Sequence, residues 1–530
     1  MRCNILLASV VTVSIGSACA SILTKVGTVK ESAILVPRRE PFPYAPYTID
    51  QPIDHFPDDP VYAPHTNATF KQRYIFDTTY YKPGGPVYLY IGGETNGENR
   101  ISNLETGIIQ ILMEATNGLG IILENRYYGE SWPFSTSTTD QLAYLTNQQT
   151  VADNAYFAQH VVIPGLNASI NAPGTKWILY GGSLAGGQTA LSVKLYPKVF
   201  FGGIAASAPV KTVVGYPEWY NPIQKFAPQD CVASITDIIY KFDALVSANN
   251  TRAIKEFKSL FGLEALTDNR DFAMAIAFPI GGPMNYPMGT WQDLNWSPLY
   301  TSNDFWNFCS NVTNPDAPKK ITEIDYALSN YTRGEPWTNL GNYATYIKNV
   351  LIPLCGGADI DSTSCFGTQN ETYYADVTNG AGRSYLYTTC LELGAYQVAP
   401  ETGPSLISRV LQADYTQQWC TWAFPPGKYN SIPPVVNVTL WGQYGGYNFS
   451  ADRLAFIDGA NDVWLDLCYH SHYAPSPRIS TDLQPEFLIT GAGHHWDSYG
   501  ILDIAAEPLF IQQAHLWEIR IVKKWLKAGW

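Results

Sequence analysis

Residues 177–190, Trp-Ile-Leu-Tyr-Gly-Gly-Ser-Leu-Ala-Gly-Gly-Gln-Thr-Ala, constrain this chain more than any other stretch. An apolar run suited to a buried strand ends in two glycines and a serine. More small residues follow, and then a helix-compatible run through Leu191, Val193 and Leu195. A strand that turns sharply into a helix at a serine is a nucleophile elbow, which lifts the Ser183 hydroxyl above a sheet. The turn is tight, so the positions two before and two after the serine must be small; Gly181 and Ala185 meet that demand. The Leu184 N–H then opens the helix and is aimed at a developing oxyanion. The competing reading is a glycine-rich strand–helix turn with no chemistry.

The flanking sequence supplies the sheet that an elbow needs. From about 45 to 210, patterns predict strands over 70–77, 86–91, 120–124, 176–180 and 204–207, with helices over 104–116 and 147–162. This alternation implies an α/β fold, a mainly parallel sheet with helices on both faces. Beyond 215 the texture changes to amphipathic helices, expected at 233–247 and 251–261, joined by long proline- and tyrosine-rich connections. Strand patterns resume at 454–457 and 486–490. Residues 215–440 therefore read as one large helical cap inserted between two parts of a single domain, 42–214 and 441–530.

Composition bears on where such a chain works. Among 530 residues only 15% are charged, 14% are aromatic, 35 are tyrosine and 36 proline, which suits a rigid, loop-rich extracellular protein. A net charge of −13 with no basic stripe argues against a nucleic-acid partner. Residues 1–20 read as a secretory signal: Arg2 supplies the charge, residues 5–15 the apolar segment, and Ala18-Cys19-Ala20 the cleavage site. Residues 21–41 include the dibasic Arg38-Arg39 and read as a possible propeptide. No stretch reaches the roughly 18 apolar residues of a membrane span. The expectation is an exported, soluble protein, with a vacuolar or lysosomal address as the alternative and the choice between monomer and dimer open. Sequons at Asn67, Asn167, Asn249, Asn311, Asn330, Asn370, Asn437 and Asn448 predict glycosylation, whereas Pro298 makes Asn295 a poor acceptor. In an oxidising compartment Cys231, Cys309, Cys355, Cys365, Cys390, Cys420 and Cys468 imply up to three disulfides and one spare thiol. The pairing 231–309, 355–365 and 390–420 is one of several that the sequence allows. No metal-ligand spacing occurs, and neither a metal nor a cofactor is expected.

A serine hydroxyl attacks only when a base takes its proton and a carboxylate holds that base. In α/β-hydrolases these groups follow in the order serine, acid, histidine, each past the end of a strand. The chain has 8 histidines. His55, His65 and His160 precede the serine, His470 and His472 follow a helix-like run, and His515 falls inside the C-terminal helix. His494 and His495 remain, in a glycine-bounded loop just past a strand. For the acid, Asp458, Asp462 and Asp466 are available. Asp462 is preferred, because Asp458 caps the turn and Asp466 falls later in the helix-like run. A second oxyanion donor belongs to the loop Ile91-Gly92-Gly93-Glu94, with Gly93 the candidate amide. Glu94 beside it could bind a substrate amine, tune the histidine, or be structural.

Several further motifs resemble one family, the secreted and lysosomal proline-specific serine peptidases that include lysosomal Pro-X carboxypeptidase and the fungal prolyl endoproteases. The resemblance runs from Gln51-Pro-Ile-Asp-His-Phe56 through Gly84-Gly-Pro-Val-Tyr-Leu-Tyr-Ile-Gly-Gly-Glu94, Glu124-Asn-Arg-Tyr-Tyr-Gly-Glu-Ser131 and Leu145-Thr-Asn-Gln-Gln149 with Ala152-Asp153. It continues through the elbow to Ala205-Ala-Ser-Ala-Pro209, then Asn461-Asp-Val-Trp464 and Gly493-His-His-Trp496. It implies an α/β-hydrolase fold with a cap over the site, a triad of Ser183, Asp462 and His495, and cleavage after proline in an acidic environment. Proline-containing peptides or proteins are then the substrates. Leu184, Val463 and Trp496 stand where many members have tyrosine, proline and leucine, which bears on subsite preference. A proline ring in the P1 position needs a small apolar slot with aromatic walls. Trp464 is the first candidate, with Tyr387, Trp419 and Trp422 behind it. Internal cleavage is the main expectation; a Pro-X carboxypeptidase or dipeptidyl peptidase is the nearest alternative. An esterase or lipase, or a non-catalytic binding protein on the same scaffold, lies further off.

Overall fold

The computed structural model describes residues 44–283, 288–323, 325 and 339–528. The expected signal peptide, the dibasic segment and Asn330 lie outside them. Eight strands form one sheet: β1 (Tyr47–Pro52), β2 (Thr69–Asp77), β3 (Val87–Ile91), β4 (Leu119–Leu123), β5 (Trp177–Gly182), β6 (Gly202–Ala206), β7 (Leu454–Gly459) and β8 (Glu486–Ile489). Their order is β1-β2-β4-β3-β5-β6-β7-β8. β1 and β2 are antiparallel, β2 runs antiparallel to β4, and the remaining neighbours are parallel. This is the α/β-hydrolase arrangement, with the serine strand β5 in the middle.

The central strands are buried on both faces, so they read as continuous apolar runs rather than alternating ones. Side-chain alternation still sorts them. Val87, Leu89, Ile91, Trp177 and Leu179 face one layer, with α2 (Asn147–His160) and α3 (Leu184–Leu195). Tyr88, Tyr90, Ile178 and Tyr180 face the other, with α1 (Ile108–Thr116) and the C-terminal helix of residues 509–528. Each fully buried side chain of this size contributes about 1.5–3 kcal/mol by leaving water.

β1 carries alternating polar residues and ends in proline, a pattern that escaped the strand prediction. A buried ion pair pins it instead of hydrophobic weight. Arg126 is wholly buried and donates to both Asp153 oxygens at 2.6 Å, and to the Ile53 and Tyr144 carbonyls. His55 adds a 2.8 Å contact to Asp153. Such a pair is stable out of water only because its lone pairs and protons are satisfied. The motifs at 51–56, 124–131 and 152–153 thus serve the frame of the sheet.

β6 pairs directly with β7, so everything between them is an excursion from the sheet. Its main helices are α4 (Gln229–Ser247), α5 (Thr251–Leu260), α6 (Asn269–Ala277), α7 (Asp304–Val312), α8 (Ala381–Thr388) and α9 (Ala413–Ala423). Phe242, Phe257, Phe261 and Phe272 pack at its centre, with ring centroids 5.0–5.8 Å apart. Bridges Cys231–Cys309, Cys355–Cys365 and Cys390–Cys420 staple it, and Cys468 is free and buried.

Candidate active site

Ser183 sits between the last residue of β5 and the first of α3, with φ 59° and ψ −130°. That conformation is strained for a residue with a side chain and costs about 1–3 kcal/mol. The neighbouring glycines make it possible. A Cβ on Gly181 would lie 2.3 Å from the Ala185 carbonyl oxygen, and one on Gly186 would lie 2.6 Å from the Ala206 oxygen. Ser183 is partly exposed while residues on both sides are buried.

The acid and the base meet differently from the expected assignment. Nδ1 of His494 lies 2.9 and 3.0 Å from the two Asp462 oxygens, both side chains being buried. Among the described residues, His494 Nε2 has no hydrogen-bond partner. His495, the residue assigned to the triad from the resemblance, does not meet Asp462. Its φ of 38° swings the chain over, so its ring lies on Gly182: a Cβ there would be 3.0 Å from His495 Cγ. The His495 amide donates to Ser207 Oγ at 2.8 Å. Burial, with the His494 and Arg100 charges, pushes the His495 imidazole well below its usual pKa. The ring that pairs with the acid is therefore the first of the two. The other aspartates are engaged elsewhere: Asp458 accepts from His470, and Asp466 from His472.

Leu184 is the first residue of α3, so its N–H has no partner within the helix. Gly93 is buried with φ 70°, and a Cβ on it would touch Ala185 at 3.4 Å, which sets this loop against the elbow. The Gly92 amide is used on the Leu123 carbonyl. Glu94 is buried close to His494, and its Oε2 has no hydrogen-bond partner among the described residues. Burial raises its pKa, partly offset by His494. A carboxyl whose charged form is disfavoured by burial is a weaker receptor for a substrate ammonium than an exposed one.

Beside Ser183 opens a pocket lined by Leu184, Ser207, Pro209, Tyr385, Leu393, Ala395, Trp464 and Leu467. Trp464 lines this pocket. Tyr387 does not: it is buried in the cap, edge-on to Phe424 at 5.1 Å, and its hydroxyl accepts from Asn430. Trp419 and Trp422 pack on Tyr374 in the cap core. Tyr385, two residues before Tyr387, takes the place at the pocket. Tyr216, unforeseen in the sequence, stacks on Trp464 at 5.6 Å and 9°. Its hydroxyl donates to Val463 O (2.9 Å) and accepts from Asp466 N (3.2 Å), gripping the acid loop on both sides of Trp464.

The cap also ties down both catalytic loops through indole N–H groups. Trp291 donates to Asn461 O, Trp464 to Gln292 Oε1, Trp296 to Trp496 O, and Trp496 to Leu294 O, at 2.7–3.0 Å. Of the predicted sequons, Asn67, Asn167, Asn249, Asn311, Asn370, Asn437 and Asn448 are exposed. No helix among the described residues is long and apolar enough to cross a membrane, and none of their acidic, histidine or cysteine groups forms a metal cluster.

The chain is similar to known proteins over most of its length. A probable extracellular serine carboxypeptidase of Arthroderma benhamiae is 36% identical over 501 residues, spanning 91% of this chain and 68% of that protein. Serine protease vicPb of Bipolaris victoriae is 28% identical over 82% of this chain and 81% of its own length. The human thymus-specific serine protease is 23% identical over 75% and 73%. Among solved structures, epoxide hydrolase A of Mycobacterium thermoresistibile aligns over 91% of this chain and 98% of its own, at 11% identity and a TM-score of 0.30. The family described as serine carboxypeptidase S28 matches residues 51–514, through both parts of the sheet and the whole cap, and the chain belongs to it.

Proposed function

We propose that this serine peptidase is exported and hydrolyses peptides internally, on the carboxyl side of proline, through an acyl-enzyme. The observation that carries this reading is the small apolar pocket beside Ser183, walled by Trp464, Tyr385, Leu393 and Pro209. A proline ring offers apolar surface and no amide proton, so a mainly apolar slot suits it. In the proposed mechanism Ser183 Oγ attacks the carbonyl carbon and His494 Nε2 takes the proton. Asp462 holds Nδ1–H and stabilises the imidazolium, and the Leu184 and Gly93 amides receive the oxyanion. His494 then protonates the leaving amine, and water repeats the sequence on the acyl-enzyme.

A carboxypeptidase is the second reading, favoured by the family's description and by the Arthroderma relative. Capture of a C-terminal carboxylate calls for a cation near the leaving-group side. Burial raises the pKa of Glu94, which weighs against an amine anchor there and so against a dipeptidyl peptidase. The test is a proline-containing peptide blocked at both ends, read by mass spectrometry at pH 4.5. Cuts after proline are expected. An intact blocked peptide, with loss of the terminal residue once the carboxylate is freed, would overturn the endopeptidase reading in favour of the carboxypeptidase.

A further inference from the structure

The Leu145–Gln149 motif does work that the chemistry above does not use. Thr146 caps α2, and Gln149 accepts from the His55 amide and donates to Asp54. Asn147, between them, faces the cap. Its backbone N–H and its Nδ2 both donate to Oε1 of Glu392, at 2.9 and 2.7 Å. Its Oδ1 accepts from Gln188 Nε2 at 3.0 Å, and Gln188 Oε1 accepts from Asn125 Nδ2 at 2.8 Å. All four side chains are buried. Gln188 belongs to α3, one turn beyond Leu184. Glu392 belongs to the turn Thr389–Leu393, and its neighbour Leu393 lines the pocket, as do Tyr385 and Ala395.

We propose that Glu392 is a positioning residue: docked on Asn147, it locks the pocket-lining cap segment 385–395 in register with the nucleophile helix and so sets the substrate wall against Ser183. This rests on the proline-peptidase reading. The apolar contacts of Leu393 with Leu184 and Trp441 resist separation but allow sliding. Directional hydrogen bonds do not, and in a buried chain each lost link leaves orphaned polar groups. Glu392 also lies at the open N-terminus of α2, where free N–H groups favour an acceptor.

The electrostatics agree with the geometry. Burial raises the Glu392 carboxyl to about 7 against the opposing pull of the Asn147 donors. The titratable groups that feel it are the phenols of Tyr62, Tyr387 and Tyr444. In acid the carboxyl is neutral and still accepts from Asn147 through Oε1. Between about pH 4.5 and 7 an undocked carboxyl releases the proton that the docked one, with no cation among those partners, keeps, so the docked arrangement weakens across that window.

The test compares wild type, Glu392→Leu and Glu392→Gln on a blocked Ala-Ala-Pro p-nitroanilide. The rate of Ser183 labelling by a small fluorophosphonate is measured alongside. For Glu392→Leu the account expects KM to rise about tenfold with labelling within about twofold of wild type, since the nucleophile is intact and the wall is not. Glu392→Gln keeps an acceptor and cannot ionise. Its KM at pH 4.5 stays within about twofold of wild type, and the rise that wild type shows as the pH climbs from about 4.5 to 7 disappears. An unchanged KM in the leucine variant, or the same pH rise in the glutamine variant, overturns the positioning role. A wild type that labels but leaves the proline anilide intact overturns the endopeptidase reading on which this proposal rests.

Discussion

The Asp462 carboxylate holds Nδ1 of His494 with both oxygens, at 2.9 and 3.0 Å, inside a site from which both side chains exclude water. A buried carboxylate in that position selects the tautomer with the proton on Nδ1 and leaves Nε2 to accept one.

The two adjacent histidines therefore have separable roles. His494→Ala is expected to lower kcat by at least about a thousandfold, as removal of a catalytic base does. His495→Ala leaves the Asp462 pair in place and opens space over Gly182, so its kcat falls far less. Steady-state kinetics of the two variants on one proline substrate checks this, and equal losses would contradict the assignment.

Tyr216→Phe keeps the ring on Trp464 but removes the hydroxyl that binds Val463 and Asp466. Loss of two buried hydrogen bonds on the acid loop is expected to lower kcat/KM roughly tenfold, with the preference for proline retained. Comparing proline and alanine substrates reads both effects.

Stability should favour acid. Glu518 is wholly buried, both its oxygens lack hydrogen-bond partners among the described residues, and burial holds its pKa well above the usual value. Asp497 is raised to about 6, its buried carboxyl accepting from the Tyr180 hydroxyl. For a carboxyl raised on folding, the native state binds protons that the unfolded state releases, so stability falls as pH climbs from about 4 towards the raised value. Glu518→Gln removes one such proton. Its Tm is expected to match wild type at pH 4.5 and exceed it by about 1–3 °C at pH 7.5. Calorimetry at the two pH values decides.

Cys468 is buried, and burial together with Asp458, Asp462 and Asp466 pushes its thiol pKa well up. In protein lacking residues 1–20, which carry Cys3 and Cys19, the native state is expected to resist iodoacetamide, and one thiol should react once the chain is unfolded with its disulfides intact. Mass spectrometry of the alkylated protein reads the count.

The elbow was legible because its backbone demands glycines at fixed places, and a demand of that kind is written in residue type. The sheet and the cap were legible through hydrophobic periodicity over long segments. What escaped was decided by orientation. His494 and His495 are neighbours in one loop, and the left-handed φ of His495 determines which ring reaches Asp462. Tyr385 and Tyr387 stand two apart on a helix, so they point to nearly opposite faces, and only the cap's packing tells which faces the pocket. β1 lacks an apolar pattern because a buried ion pair and a neighbouring strand hold it. Tyr216 carried no signal, since an isolated tyrosine in a loop has no period to read, and Ser207 stood in a recognised motif without a legible role.

The most direct measurement is labelling with a peptidyl phosphonate ester whose P1 residue is an analogue of proline. The account predicts a single adduct, mapped to Ser183, that forms much faster than with the alanine analogue and is lost in His494→Ala. An adduct on another residue, or equal rates for the proline and alanine analogues, would contradict it.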